Sequence, residues 1–89
     1  MANHKSAIKR IRQNQKRRMR NKQVRSSMRT VVKSCAAALA GDDADAARES
    51  FRAAERSIRK AASKGVIPQR RADRTVSRLA HRLGSLTQS

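Results

Sequence analysis

Arginine and lysine recur through the first third of this chain with nothing of opposite sign among them. From Lys5 to Lys33 there are twelve: Lys5, Lys9, Arg10, Arg12, Lys16, Arg17, Arg18, Arg20, Lys22, Arg25, Arg29 and Lys33. The first carboxylate of the sequence is Asp42. The chemistry open to such a series is electrostatic. A guanidinium is a planar fork that holds phosphate oxygens in pairs, and an ammonium is a compact point charge. Arg18, Lys22, Arg25, Arg29 and Lys33 recur at steps of three and four, as do Arg71, Arg74, Arg78 and Arg82. On a helix that spacing collects each set into one stripe able to follow a row of phosphates. Gln13, Asn14, Gln15, Asn21 and Gln23 add neutral donors and acceptors suited to sugar hydroxyls, including the 2′ hydroxyl that DNA lacks.

The whole chain agrees with that chemistry and excludes others. Its 89 residues carry a formal charge of +17 and a pI near 12.0, which points to a polyanionic partner. Such a short chain forms a single domain, residues 1–89, with a small core, so a partner is expected to contribute to its stability. No apolar run approaches the roughly 20 residues of a membrane span, and no signal-peptide apolar region follows Met1 to Lys9, so a cytoplasmic protein without a membrane partner is expected. Cys35 stands alone, and His4 and His81 are far apart, so neither a disulfide nor a metal site is expected. No nucleophile has a histidine partner and no glycine-rich phosphate loop is present, so the chain reads as no enzyme, with no cofactor and no small-molecule substrate. Phe51 is the one aromatic residue, which leaves recognition to charge and shape rather than stacking.

The elements that would position these cations follow from apolar spacing. With no Pro or Gly from Met1 to Ala40, the basic segment reads as one helix, capped by Asn3 or Ser6 and beginning near Lys5 or Ala7. Val24, Met28, Val31, Val32, Cys35, Ala36 and Leu39 form its apolar stripe. At about 100° per residue, with Val24 at zero, that stripe lies between roughly −20° and +120°. Ile8, Ile11 and Met19 fall near 140° to 220°, and Met19, like Met28, is expected to pack. Gly41 is expected to end the helix in left-handed geometry, and Asp42-Asp43 to cap the next. The second helix, near Asp43 to Lys64, buries Ala44, Ala47, Phe51, Ala54, Ile58, Ala61 and Ala62 and stops at Gly65. Pro68 suits the first turn of the third, near Pro68 to Leu86, with Ala72, Val76, Leu79, Ala80, Leu83 and Leu86 inward. Thr87-Gln88-Ser89 should fray.

Three stripes and two short turns predict an all-α fold, an antiparallel three-helix bundle whose long, basic N-terminal helix extends beyond it. Residues 1–23 form the basic arm and 24–89 the bundle. Met1 to Gly41 carries +12, Asp42 to Gly65 +1 and Val66 to Ser89 +4. The second helix has Asp45/Arg48, Glu49/Arg52 and Glu55/Arg59 at pairing distance and is expected to face away from the polyanion. Two nucleic-acid readings follow, a protein that binds structured RNA and a histone-like, non-specific DNA-binding protein.

The opening MANHKSAIKRIRQNQKRRMRNKQVRSSMRTVVK, with ANHKSA, KR, KRR and RN in order, resembles the N-terminal helix of the S-twenty family of bacterial small-subunit ribosomal proteins. KGVIPQRRADRTVSRL resembles that family's entry into its third helix. The likeness spans essentially the whole chain. It implies a three-helix protein, monomeric within the small subunit, that binds 16S ribosomal RNA directly. The implied contacts are in the 5′ domain and near the long helix of the 3′ minor domain, with few protein contacts and a role in assembly. Carried onto this sequence, the RNA-contacting positions are Lys5, Ser6, Lys9, Arg10, Arg12, Lys16, Arg17, Arg18, Arg20, Asn21, Arg25 and Arg29, with Arg70, Arg71 and Arg74 from the third helix. The stripes add Lys22 and Arg78. Pro68-Gln69-Arg70-Arg71 departs from the His and Lys-Asn-Lys run of many relatives while keeping most of the charge.

Overall fold

A computed structural model describes residues 2–88, with side-chain surroundings for residues 4–87. Three helices account for nearly all of it: α1 (Ala2–Leu39), α2 (Ala44–Ser63) and α3 (Gln69–Gln88). The all-α, three-helix architecture with a long first helix is the one the apolar periods call for. At 1.5 Å per residue, α1 runs roughly 57 Å and each of the others roughly 30 Å. The molecule is therefore a rod, 69 × 20 × 13 Å, with a radius of gyration of 17.9 Å. A compact chain of this length would have about 12 Å.

The helix ends show which local signals decide. α1 is already helical at Ala2, so Asn3 and Ser6 lie inside its first turns and neither is its cap. Gly41 does not take the left-handed conformation expected of it, since Gly65 is the one glycine with positive φ, at 76°. The chain leaves α1 through a tightened turn, in which the Gly41 N–H donates to the Ala38 carbonyl at 3.1 Å. Asp43 caps α2 as expected, its carboxylate accepting from the N–H groups of Asp45 and Ala46 at 3.0 and 3.2 Å. At the other end of α2 the Gly65 N–H donates to Ala62 and the Val66 N–H to Ala61, at 3.0 and 2.9 Å. That is a Schellman closure, and it requires the left-handed residue that Gly65 supplies. Pro68 sits just before α3, its carbonyl accepting from Ala72 N–H at 3.1 Å. α3 continues through Gly84 to Gln88. Hydroxyls of Ser85 and Thr87 fold back onto the carbonyls of His81 and Gly84 within the last turn. Ser89 lies outside the described residues.

Alanines set the spacing of the core. Ala47, Ala54, Ala61 and Ala72 are fully buried, and their small size lets α2 lie close against both neighbours. Ile58 and Cys35 are the largest fully buried side chains, joined by Met28, Leu39, Ile67, Val76 and Leu79. Phe51, Leu83 and Leu86 pack half-buried against this cluster. Ala80, placed inward by period alone, is exposed. α2 packs on both other helices, while α1 and α3 meet only sparsely.

That packing reaches only part of α1. Every residue from 4 to 20 is exposed, burial begins at half-buried Asn21 and Val24, and Met28 is the first buried side chain. Ile8, Ile11 and Met19 are 50%, 57% and 66% exposed. Met28 packs as expected, but Met19 does not. The end of α2 and the Gly65 turn come beside Arg17 to Val24 on the other face of α1, so nothing stands opposite Met19.

Gly65→Ala should lower stability by about 1 kcal/mol, because its φ penalises a side chain although open space surrounds it. Gly41→Ala, with no such constraint and its new Cβ in ordinary contact at 3.4 Å from the Ala38 carbonyl, should leave stability unchanged or slightly raised. Paired urea denaturation curves check the contrast.

Candidate nucleic-acid interface

The exposed part of α1 presents cations in every direction. Lys5, Lys9, Arg10, Arg12, Lys16, Arg17, Arg18 and Arg20 all lie in the fully exposed stretch, with Ser6 beside Ala7, Arg10 and Ile11 in a shallow hollow. Asn21 is half-buried where this stretch meets the bundle. None of these cations makes an ion pair with a described residue, and the positive end of the helix dipole adds to their repulsion. An anion drawn to this helix therefore meets no competing carboxylate.

Where α1 joins the bundle, its basic stripe turns toward α3. Lys22, Arg25 and Arg29 are exposed on α1, and Arg70, Arg71, Arg74 and Arg78 are exposed on the first half of α3. Arg29, Lys33 and Arg71 line one groove between the two helices. Farther along, Arg82 lies near enough to Cys35 for its charge to act on the thiol. Members of two stripes far apart in sequence, Arg29 and Lys33 of one and Arg71 of the other, thus border one concave surface.

Carboxylates keep to other faces. Arg48 pairs with Asp45 at 3.1 Å and Arg59 with Glu55 at 3.3 Å, both within α2, while Arg59 also reaches Asp73 of α3 at 3.6 Å. All three contacts are exposed and contribute little to stability. Glu49 and Arg52, at the spacing for a third pair, make no ion pair with a described residue. α2 is not neutral along its whole length, however. Lys64 joins Arg17, Arg20 and Asn21 around a hollow at the root of the exposed stretch, and Lys60 and Lys64 border an adjoining one with Gln23 and Ser27. The last turn of α2 therefore belongs to the basic surface. Segment charge conceals this, because Asp42, Asp43 and Asp45 at one end of the helix offset cations at the other.

Cys35 is fully buried, and burial pushes its thiol up, the nearby Arg82 charge opposing in part. A thiol held protonated in the core is a packing group, not a nucleophile. Among the described residues no three His, Cys, Asp or Glu side chains could hold a metal ion, and no helix is long and apolar enough to cross a membrane. A thiol reagent at neutral pH should label Cys35 far more slowly in the native protein than in denaturant. Equal rates would place the thiol at the surface.

Comparison with known proteins adds a family to this geometry. Residues 2–84 match the family model described as ribosomal protein S20. The chain is 51% identical over 87 residues to the small ribosomal subunit protein bS20 of Geotalea daltonii, covering 98% of this chain and 100% of that protein. It is 50% identical over 86 residues to bS20 of Geobacter sulfurreducens, 97% of this chain and 99% of the other. With bS20 of Halalkalibacterium halodurans it shares 45% over 86 residues, 97% and 94% of the two chains.

Proposed function

The chain belongs to the ribosomal protein S20 family of the bacterial small ribosomal subunit, and from that premise we propose that it binds 16S ribosomal RNA directly and supports subunit assembly. Family membership makes it a structural component of the cytoplasmic ribosome rather than an enzyme. In this reading residues 1–23 are an RNA-binding arm, and residues 24–89 are the bundle that anchors and aims it. The observation that carries the reading is the fully exposed stretch 4–20, dense in Lys and Arg and without an acid. A helix with cations on all sides suits enclosure by RNA better than attachment to a flat surface.

The proposed contacts rest on charge and family resemblance, supported by exposure. Lys5, Ser6, Lys9, Arg10, Arg12, Lys16, Arg17, Arg18 and Arg20 meet phosphates and sugars around the arm. Asn21, Lys22, Arg25 and Arg29 continue the contact onto the bundle, and Arg70, Arg71, Arg74 and Arg78 extend it along α3. Lys60 and Lys64 join at the root of the arm. The 5′ domain and the long 3′ minor-domain helix of 16S ribosomal RNA are the proposed partners, approached by a monomer. A rod 69 Å long has the reach to touch two RNA elements at once. The amides of Gln13, Asn14, Gln15 and Asn21 favour ribose over deoxyribose, which sets this reading above a histone-like one.

Each neutralised phosphate contributes a slope of roughly −0.7 to −0.9 in log affinity against log salt. Replacing Arg17, Arg18 and Arg20 together with Ala should flatten the slope for 16S ribosomal RNA by about two to three units. An unchanged slope would remove these residues from the contact. Equal affinity for duplex DNA and the RNA at physiological salt would favour the histone-like alternative.

A further inference from the structure

The sparse contact between α1 and α3 leaves a pocket of about 280 Å³ whose floor is apolar and whose rim is cationic. Val32, Ile58 and Ile67 lie in its floor, and Arg29, Lys33 and Arg71 stand at its edge. Ile58 and Ile67 also belong to the buried core, so the floor is continuous with the most rigid part of the molecule. A leucine at Ala36 on the wall would fill much of the space. The pocket stays open in a chain with little core to spare.

Its chemistry restricts what enters. None of the three rim cations makes an ion pair with a described residue, so an apolar occupant must bring negative charge with it. A volume just below the range of about 300–1,000 Å³ usual for whole small-molecule ligands suits one planar group. An unpaired nucleotide joins those properties, a flat face flanked by two phosphates. Proteins that recognise RNA commonly splay such bases out and hold them on side-chain planes. With no aromatic residue at this site, aliphatic side chains serve instead.

We propose that the α1–α3 groove receives one extruded nucleotide of the bound RNA, its base on Val32 and Ile67 and its flanking phosphates on Arg29, Lys33 and Arg71. This rests on the RNA-binding reading and makes the bundle itself a contact of the single-stranded kind, beside the charge contact of the arm.

The test is short-wave ultraviolet crosslinking of the full-length protein to 16S ribosomal RNA, with adducts mapped by mass spectrometry, alongside the Ala36→Leu variant. The expected result is a nucleotide adduct on peptides containing Met28 to Lys33 or Arg71 to Thr75. Ala36→Leu should abolish it, keep arm adducts between Lys5 and Arg20, and weaken binding roughly tenfold. Arm adducts alone in the wild type overturn the pocket and leave the RNA reading standing, whereas no RNA binding by the wild type overturns both. Wild-type affinity in a folded Ala36→Leu protein also overturns the pocket. Should that variant unfold, Thr75→Leu, which fills the space from α3, gives the same two readouts. If polyglutamate but not the RNA protects Lys33 from acylation, the groove belongs to an acidic protein segment and the proposal is overturned.

Discussion

Uncompensated charge is the constraint on which this structure depends. Forty-one residues pass before the first carboxylate, and the packed core begins only near Met28. Over the exposed stretch 4–20, like charges repel across each turn and no buried apolar contact offsets them. Helix propensity and solvent screening hold the segment in isolation, and an anion adds the interaction that the chain does not supply to itself. The ion pairs that do form are exposed and lie on or beside α2, where they leave the basic surfaces of α1 and α3 free.

The bundle is economical in a way that serves this end. Four fully buried alanines draw α2 against α1 and α3, so a small amount of apolar surface yields a defined three-helix base. Because α2 holds both neighbours, α1 and α3 need not close on each other. Arg29, Lys33 and Arg71 of the two stripes consequently border an open groove instead of being separated by packing. The same arrangement carries Lys60 and Lys64 from the end of α2 to the root of the exposed helix, making one basic surface from three segments.

Much of this is readable in the residues themselves, and what is not has a physical cause. Asp43 and Gly65 are local signals, a carboxylate before a helix and a residue free to adopt positive φ, and both act as read. Gly41 carries the same type of signal but lies in a turn that closes without left-handed geometry, a choice made by the path into α2. Ala80 satisfies the helical period yet is exposed, because the width of the buried face depends on how far the neighbouring helices reach. Met19 is exposed for the same reason. The stripes on α1 and α3 are legible from spacing, but their meeting across a groove and the role of Lys60 and Lys64 are not, since both depend on how the helices stack. The assignments of Lys5 to Arg20 as contacts draw on charge and on family resemblance, and the geometry supports them through exposure.

The measurement closest to the central claim is amide hydrogen exchange of the full-length protein, free and bound to 16S ribosomal RNA. In the free protein, amides of the exposed stretch 4–20 have only their helical hydrogen bonds and should exchange quickly, those around Ile58 slowly. On binding, protection should rise most between Lys5 and Gln23 and remain nearly unchanged over the paired face of α2 from Asp45 to Glu55. Protection gained over that face of α2 and not in the first twenty-three residues would contradict the account.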